Sequence, residues 1–184
     1  MGLFSFYRIS KPSAEQVAPE KADSTYKKLR NRTFWGVTVA YSLYYVCRMS
    51  LSVVKQPLID EGVLSAGELG VIGSALLFVY AVGKFLNGFI ADYCNIKRFM
   101  ATGLFFSALV NLLLGVLGVF HDFVPVSTAV IFFSFAILWG INGWMQSMGS
   151  PPGVICLSRW FPKSKRGTYY SIFSSTPYIG EFLS

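Results

Sequence analysis

Four long apolar stretches constrain the fold of this chain more than any other feature of its sequence. Each is about as long as the roughly 20 helical residues that cross the hydrocarbon core of a bilayer. Strands of a transmembrane barrel would be shorter and would alternate, and hydrocarbon requires backbone polar groups to be paired within their segment. We therefore predict an all-α, polytopic transmembrane helix bundle. Its complete spans are expected at about 34–54, 69–91, 99–120 and 126–148, and an incomplete fifth at 169–184.

The composition supports an integral membrane protein. Hydrophobic residues make up 53% of the chain and charged residues 14%, whereas ordinary soluble domains carry about 25% charged residues. The net charge of +7 would suggest nucleic-acid binding in a soluble protein. However, 13 of the 16 Lys and Arg residues cluster in 1–33, 92–98 and 158–167, outside the apolar stretches. We therefore expect the lipid bilayer as a partner and no nucleic acid.

The distribution of basic residues predicts the orientation in the membrane. Lys and Arg cluster in 1–33, 92–98 and 158–167, which fall on one side of a path that alternates across the bilayer, and the other side receives only Lys55. Positive loops face the cytoplasm in most membrane proteins. We expect a multi-pass protein of the inner (plasma) membrane with a cytoplasmic N-terminus. Residues 1–33 are then a cytoplasmic basic segment, and 34–184 form the bundle.

The residues that usually carry catalysis or bind metals show no useful pattern. Cys47, Cys94 and Cys156 are far apart and lack the spacing of metal ligands, so small buried or interfacial side chains are expected. His121 is the single histidine and lies in a short outer loop. No nucleophile, base and orienting group can be assembled from this set. We expect no catalytic site, no metal, no cofactor and no enzyme activity.

Two cationic residues lie inside predicted spans, Arg48 in the first and Lys84 in the second. A charge at the bilayer centre costs from about 2.5 to more than 10 kcal/mol, so such residues usually face a polar cavity or a partner. Neither 34–54 nor 69–91 contains Asp or Glu. Two uncompensated cations favour an anion such as a phosphate monoester, which Arg can bind with two parallel hydrogen bonds. Snorkelling to the interface, or pairing with Glu181, is the alternative.

Polar side chains recur at helical spacing around these cations. Phenol and amide groups can hydrogen-bond a polar ligand, or they can join adjacent helices. Three such groups each share one helix face. They are Tyr41, Tyr45 and Arg48 on the first span, Tyr80, Lys84 and Asn87 on the second, and Asn142 and Gln146 on the fourth.

Small and helix-breaking residues predict local features of the bundle. Asp23 or Ser24 can cap a helix that runs from the basic segment into the first span. Pro151-Pro152 should break or kink the fourth helix, either as a hinge or as a plain bend. Close helix packing is expected at Gly70, Gly73, Gly83, Gly88, Gly140 and Gly143.

Several motifs resemble one transporter family. Tyr41-Ser-Leu-Tyr-Tyr-Val-Cys-Arg48 resembles the Tyr-x-x-x-Tyr-x-x-Arg signature of the organophosphate:phosphate antiporters, in the major facilitator superfamily. Tyr80-Ala-Val-Gly-Lys84-Phe is similar to their second helix. The other matching pieces are Gly88-Phe-Ile-Ala-Asp92 with Asn95 and Lys97, Gly143-Trp-Met-Gln146-Ser-Met-Gly-Ser-Pro151-Pro152, and Trp160-Phe161 with Arg166-Gly167.

This resemblance implies the N-terminal half of a major facilitator fold. Its members exchange hexose phosphate or glycerol 3-phosphate for inorganic phosphate, so organic and inorganic phosphate are the implied ligands. A membrane sensor of external hexose phosphate is the alternative, with a signalling kinase as its partner. The implied substrate-binding residues are Arg48, Lys84, Tyr41, Tyr45 and Gln146. The implied conformational motif residues are Gly88, Asp92, Lys97, Arg166 and Gly167.

The sequence also departs from the family pattern. Tyr93 stands where the loop usually has Arg, and Pro177 stands where many members have His. Ser150 replaces the Trp of the glycerol-phosphate carriers, which favours hexose phosphate as the substrate. Because a full carrier needs about twelve spans in two halves, we expect a truncated or fragmentary part of a longer protein. An inactive product is a further alternative.

Overall fold

A computed structural model describes residues 3–11, 13, 16–123 and 127–183, and all regular structure in them is helical. Four segments are long and apolar enough to cross a membrane, which confirms the predicted all-α bundle with four complete spans. The helices are α1 (Leu3–Tyr7), α2 (Pro19–Asp60), α3 (Ala66–Tyr93), α4 (Ile96–Phe123), α5 (Thr128–Ser147), α6 (Ser150–Trp160), α7 (Lys163–Ser174) and α8 (Thr176–Leu183).

Helix α2 runs without interruption for 42 residues, from the basic segment through the first span. It begins at Pro19 rather than at Asp23 or Ser24, so the predicted start is wrong. Proline suits the first helical turn because its missing N–H would have no partner there. Asp23 lies inside the helix and pairs with Lys27 at 2.7 Å, one turn later. Residues 19–33 of the basic segment are therefore a helical extension of the first span.

The connection between α2 and α3 is set by local turn chemistry. Gly62 adopts a φ of +69°, a backbone conformation that is strained for residues with a side chain. Ser65 then caps α3, because its hydroxyl accepts a hydrogen bond from the Glu68 N–H at 3.2 Å. The Glu68 carboxylate accepts the Ser65 N–H in return, at 2.8 Å. This reciprocal capping box fixes the start of α3 only a few residues after α2 ends.

The predicted break at Pro151-Pro152 is confirmed. Helix α5 ends at Ser147, and α6 begins at Ser150 with its prolines in the first turn, where they cost no backbone hydrogen bond.

The bounds predicted for the fifth segment, 169–184, differ from those of the observed helices. Its helix starts earlier, at Lys163, and is interrupted at Ser175, where α7 gives way to α8.

Two of the glycines expected to allow close packing do so. A Cβ on Gly143 would collide with the backbone carbonyl of Leu76, and one on Gly83 would lie 2.6 Å from the Ser147 hydroxyl. Both glycines belong to the contact between α3 and α5, so this pair of helices packs backbone against backbone. By contrast, a Cβ on Gly70 or Gly88 would meet no atom within 4 Å, and the same holds for Gly73.

Apolar side chains fill the space between the helices. One buried cluster joins α3, α4 and α5 and includes Ile72, Leu114 and Trp139. Many other large apolar residues point outward, such as Phe78 at 72% exposure and Phe85 at 67%. Such extensive apolar surface is typical of helices that face lipid or further protein.

Candidate functional site

Helices α2 and α3 bring the two intramembrane cations to one tyrosine ring. The guanidinium carbon of Arg48 lies 4.4 Å from the ring centroid of Tyr80, and the ammonium nitrogen of Lys84 lies 5.6 Å from the same centroid. Arg48 also lies 4.8 Å from the ring centroid of Tyr45, one turn earlier on α2. Attraction between a cation and an aromatic face stabilises this arrangement. The structure therefore gathers Arg48, Lys84 and Tyr45 into a single cationic cluster.

The Arg48 side chain retains hydrogen-bonding capacity. Its Nε is buried and has no hydrogen-bond partner among the described residues. A buried donor without a partner costs about 1–3 kcal/mol, and more when the group is charged. An anionic oxygen bound beside Arg48 would satisfy this donor with a charge-assisted hydrogen bond. The geometry is thus suited to an anionic ligand.

Tyr41 lies deeper than Tyr45 on the same helix. It is 6% exposed, and its ring stacks on Phe173 of α7 at 4.8 Å with 14° between the planes. Its ring also contacts Tyr45 edge to face at 5.3 Å. Tyr41 thus supports the ring that Arg48 touches, and a direct substrate contact by Tyr41 stays a prediction.

Helix α8 packs closely on the part of α2 that carries Tyr45. A Cβ on Gly180 would collide with the Cβ of Tyr45 and would lie 2.7 Å from the Ser42 carbonyl oxygen. Glu181 is the next residue of α8, so its helix lies near the cationic cluster. Its role as a counter-ion for Arg48 stays a prediction.

Gln146 lies in a polar cluster inside the bundle, at 1% exposure. Its Nε2 donates to the Ser107 hydroxyl at 2.7 Å, and that hydroxyl lies 2.6 Å from Oδ1 of Asn142. Oε1 of Gln146 and Nδ2 of Asn142 have no hydrogen-bond partner among the described residues. These polar residues therefore join α4 to α5, and substrate contact by Gln146 stays a prediction.

A second polar contact, which residue spacing did not predict, reaches the turn of α2 that holds Arg48. Asn111 of α4 donates to the backbone carbonyl of Cys47 at 3.0 Å, and the Ser50 hydroxyl bonds to Oδ1 of Asn111. This contact ties α4 to the turn that holds Arg48. Its signal in the sequence was the pair Ser107 and Asn111, two polar residues one turn apart in an apolar span.

The predicted conformational motif residues lie at one end of the bundle. Arg159 donates to the Asp92 carbonyl oxygen at 3.3 Å, which links the ends of α6 and α3. Arg166 donates to the carbonyl oxygens of Phe161 and Ser158 at 2.8 and 2.7 Å, and so caps the end of α6. Lys97 and Gly167 lie exposed at the same end, while Gly88 lies half-buried within α3. A conformational role for these residues stays a prediction.

The cysteines are free thiols, with Cys156 buried and the other two half-buried. Burial raises the pKa of the Cys94 thiol, which lies in the connection between α3 and α4. Within the described ranges, no three His, Cys, Asp or Glu side chains are grouped so that they could hold a metal ion.

Similar proteins cover almost the whole of this chain. It is 34% identical over 97% of its length to a probable hexose phosphate transport protein of Chlamydia pneumoniae. It is 37% identical over 92% of its length to a glycerol-3-phosphate transporter of Bacillus subtilis. The membrane sensor protein UhpC of Escherichia coli is 27% identical over 88% of the chain. No solved structure matches.

The chain matches only part of the length of each relative. This chain covers 36% of the Chlamydia and Bacillus relatives and 34% of the sensor, so it spans about a third of their length. Residues 37–184 match the family described as Major Facilitator Superfamily. That range begins within α2 and includes the cationic cluster, and the match confirms the resemblance read from the motifs. The chain belongs to the major facilitator superfamily.

Proposed function

We propose that this chain is part of a membrane carrier that exchanges a phosphorylated sugar for inorganic phosphate. The observation that carries the proposal is the convergence of Arg48 and Lys84 on the Tyr80 ring. A phosphate monoester carries a charge of about −1.5 to −2 at neutral pH, so it can interact with two cations together. In this role Arg48 binds phosphate oxygens with its planar fork, and Lys84 contributes a mobile charge.

The relatives support a phosphorylated substrate. Two of them are named as transporters of hexose phosphate and of glycerol 3-phosphate. We favour hexose phosphate, because Ser150 occupies the position at which the glycerol-phosphate carriers have Trp. The remaining predicted site residues, Tyr41, Tyr45 and Gln146, complete the proposed binding region. The hexose phosphate and glycerol-3-phosphate relatives are named as transport proteins, and we propose no catalytic reaction for this chain.

A membrane sensor is the second candidate, supported by the similarity to UhpC. A sensor needs the same phosphate site but carries nothing across the membrane, and it passes its signal to a protein such as a kinase. The two functions therefore differ in exchange and not in binding.

Counterflow in proteoliposomes distinguishes the two. The chain, and the longest in-frame product that contains it, are each reconstituted with internal inorganic phosphate and offered labelled hexose 6-phosphate outside. Uptake that depends on internal phosphate supports the exchanger. Saturable binding without such uptake supports the sensor. If an Arg48→Ala variant kept both binding and uptake, that result would contradict the proposed site.

We also propose that the protein lies in the inner membrane with its N-terminus in the cytoplasm. Basic residues at one end of the bundle support this orientation through the positive-inside bias. Single cysteines at residues 60 and 163, in a background without the three native cysteines, are labelled with an impermeant maleimide. Residue 60 should react from outside and residue 163 only after permeabilisation. Labelling of both from the same side would contradict the topology.

A further inference from the structure

Residues 3–10, which we call the N-terminal segment, pack against the start of α4. The Asn95 N–H donates to the Tyr7 carbonyl oxygen at 2.8 Å, and the Arg98 guanidinium donates to the Phe6 carbonyl oxygen at 2.6 Å. The Tyr7 hydroxyl also donates to Thr102 at 3.0 Å. The guanidinium carbon of Arg98 lies 5.0 Å from the centroid of the Phe6 ring. These contacts fix Phe6 beside α4 and close one side of a groove on the bundle surface.

This basic–aromatic groove has a volume of about 400 Å³. Its lining on α4 forms two rows at a spacing of four residues, which places all six side chains on one helix face. Each row begins with a cation and ends with a phenylalanine. The groove is lined by Lys97, Ala101 and Phe105, by Arg98, Thr102 and Phe106, and by Phe6.

The two ends of the groove differ in chemistry. Lys97 and Arg98 are exposed, and neither forms an ion pair with an acidic side chain in the ranges that the structure describes. Phe105 is 64% exposed and Phe106 is 41% exposed, in the direction of the apolar span. Seven to nine residues separate the cations from these rings, or about 10–13 Å along the helix. An occupant must therefore be anionic at one end and apolar over the next 10 Å or so.

We propose that this groove binds an anionic phospholipid, from the leaflet on the side of the N-terminal segment. Its headgroup phosphate interacts with Lys97 and with the guanidinium N–H groups of Arg98 that do not bond to Phe6. One acyl chain lies along the exposed rings of Phe105 and Phe106. Basic residues next to a membrane span attract anionic lipids, since each lies within a Debye length of the charged surface. A free phosphate ion would leave the aromatic half of the groove without a contact.

The groove is separate from the Arg48 cluster. Lys97 and Arg98 stand in the first turn of α4, at the end of the bundle where Arg159 bonds to Asp92. Neither Arg48 nor Lys84 lines the groove. Lipid binding here thus uses none of the proposed substrate-binding residues, and either proposal can fail without the other.

Titration by native mass spectrometry tests the proposal. Detergent-purified protein is titrated with dioleoyl-phosphatidylglycerol and, separately, with dioleoyl-phosphatidylcholine, and the two apparent Kd values are compared. We expect a clear preference for phosphatidylglycerol. Since one basic side chain near an anionic surface contributes about fivefold, Lys97→Gln should lower the preference about fivefold, and Lys97→Gln with Arg98→Gln about thirtyfold. The Lys97 variant keeps the Arg98–Phe6 hydrogen bond, so it tests the charge without releasing the N-terminal segment.

A matched control removes the same charge outside the groove. Lys163 and Lys165 lie at the same end of the bundle. The double variant Lys163→Gln with Lys165→Gln should leave the preference for phosphatidylglycerol unchanged. Phe105→Ser should weaken the binding of both lipids, while the ratio of their two Kd values stays the same. Circular dichroism verifies that each variant is folded. Equal binding of the two lipids by the unaltered protein would overturn the proposal. An equal effect of the control pair, or displacement of phosphatidylglycerol by millimolar inorganic phosphate, would overturn it too.

Discussion

Arg48 lies over the ring of Tyr80 at 4.4 Å, measured from the guanidinium carbon to the ring centroid. The same ring receives the Lys84 ammonium at 5.6 Å, so one aromatic side chain stands beside two like charges from different helices. The negative electrostatic potential of its face offsets part of their repulsion. The ring therefore lets the two cations lie near each other.

Replacing Tyr80 should weaken anion binding according to whether a ring remains. Each contact between a cation and the ring contributes about 0.5–2 kcal/mol. Because the ring positions both cations, Tyr80→Leu should lower the affinity for hexose 6-phosphate by roughly 2- to 30-fold, and Tyr80→Phe should lower it less. Isothermal titration calorimetry on reconstituted protein measures both. Tyr170→Leu, at an exposed position of α7, serves as the control, and a larger loss for Tyr80→Phe than for Tyr80→Leu would contradict the ring's role.

Arg48→Lys should fail although it keeps the charge, because the ammonium cannot reproduce the planar fork of the guanidinium. Loss of one charge-assisted pair in a desolvated site costs about 2–5 kcal/mol, or roughly 30-fold to several thousand-fold in affinity. Lys84→Arg should be milder, since a mobile point charge demands less geometry. Radioligand binding by correctly inserted protein provides the measurement. Unchanged affinity in Arg48→Lys would remove Arg48 from the binding site.

Gly143→Ala should destabilise the bundle, because the added methyl group collides with the Leu76 backbone in the contact between α3 and α5. Overpacking of this kind costs about 1–3 kcal/mol. Gly70→Ala is a matched control in an open position, where alanine favours the helix by up to about 1 kcal/mol. Thermal unfolding in detergent should show a lower midpoint for Gly143→Ala and an equal or higher one for Gly70→Ala. Equal shifts in both variants would show that this contact is not tight.

Ser107→Ala should also destabilise the bundle, because it leaves the Gln146 amide and the Asn142 carbonyl oxygen without the hydroxyl between them. A buried polar group that loses its partner costs about 1–3 kcal/mol. Ser107→Thr keeps the hydroxyl and should recover part of the loss. Ser74→Ala removes an exposed hydroxyl that bonds only to the backbone of its own helix. Unfolding midpoints of the four proteins are compared, and a similar midpoint for Ser107→Ala and Ser74→Ala would contradict the expectation.

Residue spacing predicted only part of the cationic cluster. Tyr45 and Arg48 share a helix face by their spacing, and their contact follows from it. The approach of Tyr80 and Lys84 from another helix depends on the packing of α2 against its neighbours. Spacing alone also grouped Tyr41 with the cations, but the ring of Tyr41 stacks on Phe173 in the aromatic interior. Which member of a helix face becomes buried depends on the helices that cover it.

The sequence by itself determined the class of the protein and the number of its spans. Hydrophobicity and the helix-breaking effect of proline are local properties, so the spans and the Pro151-Pro152 break follow from short stretches of chain. Only the tertiary structure decided that Gln146 bonds to Ser107, that Asn111 reaches the Cys47 carbonyl, and that α8 covers Tyr45. Each of these contacts joins residues of two different helices that are 39 or more positions apart in the sequence. Their partners are selected by the rotation and closeness of packed helices, which no local pattern encodes.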